Sequence, residues 1–217
     1  MKRNGEYRRD RGGDSLLFVV MDAESTIFEP RWPYAADLAV QLAAAAHRAG
    51  FSVRCLDVDF YFSRIGAFRR SCGGIWTSLV GNYDQADEVH ALPGDDLRLD
   101  ELIVVHVPSI GPGAEWAARE ADGLAIAVGA AEGLDEGARS IYAAASSIGL
   151  PALAVPCADG DEEVEGRLRR RLDGLGVACA SLGYPCPPDG MAMDPVSFIR
   201  SDGNADGILA ELMGAVM

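Results

Sequence analysis

A strand–helix alternation running along most of the chain predicts a doubly wound α/β protein, a mostly parallel sheet with helices on both faces. Three observations carry the prediction. Short apolar runs recur, Leu16–Val20, Leu102–Val107 and Leu124–Val128 among them, with the unbroken hydrophobicity of strands buried on both sides. Apolar residues return at helical spacing in Tyr34–Ala49, Leu134–Ile148 and Gly203–Met217. Finally, 49% hydrophobic content in 217 residues suits one domain with a sizeable core, read as residues 15–217.

Each element has its own justification. Met1–Asp14 carries five basic and three acidic residues and is read as a flexible polar tail. Leu16–Val20 is a strand, and the helix from Tyr34 shows the stripe Leu38, Leu42, Ala45, Ala49 before Gly50 ends it as a C′ residue. Ser52–Asp57 is a second strand, leaving through Asp57-Val58-Asp59. Period-two alternation puts Asp57 and Asp59 on one side, at the strand end where open α/β sheets bind ligands. Two acids marking an exit into solvent account for the pair equally well. Phe60–Gly81 holds a helical face of Ile75, Trp76, Leu79 and Val80 after Gly73-Gly74, with Cys72 beside it as a structural cysteine or an activated thiol. Glu88–Leu92 and Leu97–Leu99 are strand-like pieces.

Leu102–Val107 is the clearest buried strand, and the Pro- and Gly-rich turn Pro108–Gly113 after it suits a switch or ligand loop. His106, at that strand's end, is either a satisfied core residue or a base or ligand. Leu124–Val128 and Leu153–Val155 are strands flanking a helix that ends at Gly149. Asp161–Leu175 has acids first and arginines last, the order that complements the helix macrodipole, so its basic run requires no nucleic acid. Val177–Leu182 is read as a further strand. Gly203–Met217 contains no basic residue, unlike helices that lie on membranes, and is expected to dock on the domain.

Composition narrows the function. A net charge of −14 excludes a general nucleic-acid surface. No apolar stretch is long enough for a membrane span. Five cysteines without a CxxC pair read as reduced thiols, hence a cytoplasmic protein. Of the 19 basic residues 18 are arginine, and the only lysine is Lys2.

The first strand, turn and helix make the frame of a phosphate-binding unit, yet the turn Met21–Pro33 has no glycine and no lysine to cradle phosphate. It carries Asp22, Glu24 and Glu29 against Arg31 alone. One carboxylate about 5 Å from a phosphate charge costs roughly 3 kcal/mol at an effective dielectric near 20.

Several segments, in order and spacing, resemble the ParA/MinD group of P-loop ATPases. A-A-A-A-H-R-A-G-F-S-V-R-C-L-D-V-D is similar to the family's first helix and second strand, and G-I-W-T-S-L-V-G-N-Y-D-Q-A-D-E-V-H to the family segment after that strand. L-I-V-V-H-V-P-S-I-G resembles its switch strand, A-D-G-L-A-I-A-V-G-A-A-E-G-L-D-E the next strand and helix start, and L-G-Y-P-C-P-P-D the loop that touches adenine. The departures fall on the catalytic groups. Tyr34, Ala35 and Ala36 stand where a glycine, lysine and hydroxyl open the family's helix, and His106 stands where its switch aspartate would be. Phosphoryl transfer depends on positioning and charge stabilisation. The resemblance therefore implies a pseudo-ATPase, kept as an interaction or positioning scaffold, as in the branch that places pili or secretion machines. No cofactor is expected, and the implied partner is a protein or a second copy in a homodimer. Ile27, Phe28, Trp32 and Tyr34 are the interface candidates, or else they fold down to fill the nucleotide pocket. Two alternatives stay open: a hydrolase of ATP and Mg that uses Arg31 in place of lysine with Asp57 and Asp59 on the metal, and a metal or small-ligand module built on Asp57, Asp59 and His106.

Overall fold

Residues Leu17 to Met21 are almost wholly shielded from solvent, because their strand, β1 (Leu16–Asp22), lies inside a sheet with a neighbour on each side. The computed structural model describes residues 16–23, 34–57, 101–107, 121–129, 136–158, 161–185 and 203–216. In chain order the elements after β1 are α1 (Tyr34–Arg48), β2 (Ser52–Asp57), β3 (Glu101–Val107), β4 (Gly123–Gly129), α2 (Glu136–Ile148), β5 (Ala152–Ala158), α3 (Glu162–Gly174), β6 (Tyr184–Pro185) and α4 (Gly203–Val216). The strands pair in parallel in the order β2-β3-β1-β4-β5-β6. The predicted fold class is the observed one.

Alternation along the strands divides the core in two. Phe18, Val20, Leu102, Val104, Ala125 and Val155 face α1 and α4, whereas Leu17, Val19, Ile103, Val105, Leu124 and Ile126 face α2 and α3. The alanine-rich inner side of α1 lets that helix lie close on the sheet, and Gly50 closes it at φ 95, a left-handed conformation that costs glycine nothing. Helix α4 docks as its sequence predicts. Ala205, Ile208, Leu209 and Leu212 are buried against the core that α1 shares, and Arg48 of α1 reaches Asp206 at 2.8 Å. Among the described residues no helix is long and apolar enough to cross a membrane.

One expected element is corrected. Val177–Leu182 is not a strand; only Cys179 makes an isolated parallel bridge, to Ala154. The reason lies in who takes the backbone groups. Ala178 O and Ala180 N face β5 and pair with Ala154, but neighbouring backbone groups are claimed by side chains. Tyr142 Oη accepts from Ala178 N at 2.7 Å, Arg169 donates to Ala180 O at 2.5 Å and to Ser181 O at 3.1 Å, and Glu211 accepts from Ser181 N at 2.8 Å. Asn204 donates to Gly183 O at 2.8 Å, and a Cβ on Gly183 would collide with the Glu165 carboxylate. Regular pairing resumes only at Tyr184, opposite Cys157. The strand-like pieces Glu88–Leu92 and Leu97–Leu99 and the helical segment in Phe60–Gly81 lie outside the described residues.

Candidate functional site

Strands β1 and β3 end side by side, with Val20 opposite His106 and Met21 opposite Val107. The pleat that turns Phe18 and Val20 toward α1 carries Asp22 to the same side, and the alternation of Leu102 and Val104 does the same for His106. Asp22 Oδ1 accepts a hydrogen bond from Ala35 N in the first turn of α1, at 3.0 Å. Its other oxygen, Oδ2, lies 3.5 Å from His106 Nε2, the outer limit of such a contact. Asp22 is 7% exposed and His106 1%, so both are shielded from competing water. That ring nitrogen donates when it carries a proton, in the neutral Nε2–H tautomer or the imidazolium.

An α-helix begins with four backbone N–H groups that have no partner within it, and its dipole favours negative charge there. Such an end binds phosphate when it is free. Here the carboxylate of Asp22 sits on it. A second carboxylate, Asp37 in the same first turn, is also buried and accepts from Tyr184 Oη of β6 at 2.5 Å. One turn further on, Gln41 is buried with no hydrogen-bond partner for its Oε1 among the described residues. Among the described residues this entrance has two buried acids and one imidazole, and the chain's only lysine, Lys2, lies outside them. A triphosphate needs open N–H groups and positive charge, whereas the described residues here supply buried carboxylates.

Of the sequence-predicted residues, His106 is at the site. Asp57 is in register with His106 across β2 and β3, and Tyr34 is half-buried against the core under α1. Asp59, Arg31, Ile27, Phe28 and Trp32 lie outside the described residues, as do Cys72 and the Pro108–Gly113 turn. Among the described residues no three metal-ligating side chains cluster. Burial pushes the Cys179 thiol up, more than nearby Arg169 lowers it, so it stays protonated at neutral pH. Sequence reasoning saw Asp22 only as a repelling acid and missed both its capping role and the Asp37–Tyr184 pair. A signal was present for the cap: Arg31-Trp32-Pro33 supplies none of the Ser, Thr, Asn or Asp side chains that cap a helix starting at Tyr34.

No family model and no curated protein sequence matches the chain. Solved structures do. The MinD cell division protein of Aquifex aeolicus is similar at a TM-score of 0.59 and 12% identity, over 92% of this chain and 97% of that one. The fold is that of the ParA/MinD ATPases. A plasmid partition protein from Borrelia burgdorferi shares this ParA/MinD fold at a TM-score of 0.57 and 10% identity, over 92% of this chain and 98% of that one. A ParA family ATPase from Chlorobium tepidum TLS does so at 0.51 and 12%, over 93% and 96%. The expected architecture therefore holds in the described residues, at identities where only architecture is shared.

Proposed function

We propose that this protein is a catalytically inactive domain of the ParA/MinD fold that works as an interaction or positioning scaffold for a cellular assembly. One observation carries the reading: the Asp22 carboxylate occupies the N-terminus of α1, where a phosphate-binding protein of this architecture would need open N–H groups. The single lysine, far from the α1 turn in sequence, and the buried Asp37 support it. A protein partner is supported by the MinC:MinD cell division complex of Aquifex aeolicus, similar at a TM-score of 0.58 and 12% identity, in which the same architecture is joined to a second protein. The choice of pilus or secretion machinery rests on the sequence resemblance to relatives with decayed phosphate loops.

Thermal-shift or titration calorimetry with Mg-ATP tests the reading. No shift and no heat are expected at millimolar nucleotide, and no phosphate release. A rise of several degrees, the mark of specific ligand linkage near saturation, overturns it in favour of an unorthodox hydrolase.

A further inference from the structure

We infer that Asp22 is a built-in occupant of the anion position at the start of α1, a plug braced by His106 that keeps phosphate from solution off that helix end. The inference rests on the nucleotide-free reading above and adds what enforces it. Both carboxylate oxygens are engaged, Oδ1 by Ala35 N at 3.0 Å and Oδ2 by His106 Nε2 at 3.5 Å. The residue is buried, so the contact is not one of several exchanging with water. It also comes from 13 positions upstream, since the helix start offers no capping side chain of its own. A tethered carboxylate competes at an effective concentration far above the millimolar range of free phosphate. It brings its negative charge to the point where the phosphate charge would sit, so the two exclude each other. With its proton on Nε2, the imidazole beside it supplies a donor that a bound anion would otherwise need from elsewhere.

If the plug holds the site shut, removing it should open the site. The experiment compares wild-type protein, Asp22→Ala and Asp22→Asn by thermal unfolding in inorganic phosphate at tens of millimolar against sodium chloride of matched ionic strength. Wild type is expected to respond equally to both salts. Asp22→Ala is expected to melt lower in chloride and to regain about 3 °C in phosphate, a gain held to that size by Asp37 in the same turn. Asp22→Asn keeps a side-chain oxygen for the cap and loses only the charge, so it is expected to fold and to show a smaller phosphate-specific rise. The plug is overturned when the variants that fold gain no more from phosphate than wild type; should Asp22→Ala fail to fold, Asp22→Asn decides alone. A wild-type response to Mg-ATP is a separate result, which removes the inactive-domain reading without touching this comparison.

Discussion

Helices α1 and α3 both begin under an aspartate, and the two arrangements differ in what they commit the protein to. At α3 the cap is local. Asp161 immediately precedes the helix and its Oδ1 accepts from Glu163 N at 2.9 Å and Val164 N at 3.1 Å, in full contact with solvent. Glu162, Glu163 and Glu165 come next in the first turn, as the dipole favours. At α1 the cap is borrowed from the end of β1, is buried, and is shared with an imidazole from β3. The first arrangement stabilises one helix. The second ties two strands and a helix together at the place where this architecture offers an anion site.

Substitutions can sharpen or break that contrast. The largest effect is expected for Asp22→Ala, which strips a buried charged acceptor from Ala35 N and leaves His106 facing an empty position. Chemical denaturation should register a loss of about 3 kcal/mol, roughly 6–12 °C in melting temperature for a chain of this size. Asp161→Ala should cost about 1 kcal/mol, the ordinary value of an exposed N-cap, measured the same way. If the two losses are equal, the buried cap is no more than a local one and the contrast fails. Arg48→Ala should move stability by less than about 0.5 kcal/mol, because its 2.8 Å pair with Asp206 is exposed on both sides, at 39% and 53%. A loss of several kcal/mol there would mean that α4 is held by its charge contact and not by Ile208, Leu209 and Leu212.

The same contrast explains what the sequence could tell. The fold was legible because each strand and helix announces itself locally: Leu124 to Val128 as an unbroken apolar run, α3 by its acids, arginines and preceding Asp161. The site was legible only in pieces. Asp22 and His106 were each singled out, one as an acid opposed to phosphate and one at the end of a buried strand. Their contact spans 84 positions and that of Asp37 with Tyr184 spans 147, distances over which no periodicity carries information. The misread strand at Val177–Leu182 has the same origin. Its alternation is strand-like, but Arg169, Glu211 and Tyr142 reach it from elsewhere in the chain and take the groups a ladder would use.

Those side chains have a consequence for how copies of the molecule can meet. An open sheet ordinarily ends in a row of backbone donors and acceptors, a template on which another strand can add. Beyond β5 side chains hold five backbone groups of the next segment: Ala178 N on a phenol, Ala180 O and Ser181 O on a guanidinium, Ser181 N on a carboxylate, Gly183 O on an amide. Drawing Ala178 to Gly183 into a regular strand would first have to break these five hydrogen bonds. Growth by strand addition along that segment is therefore opposed by side chains already in place.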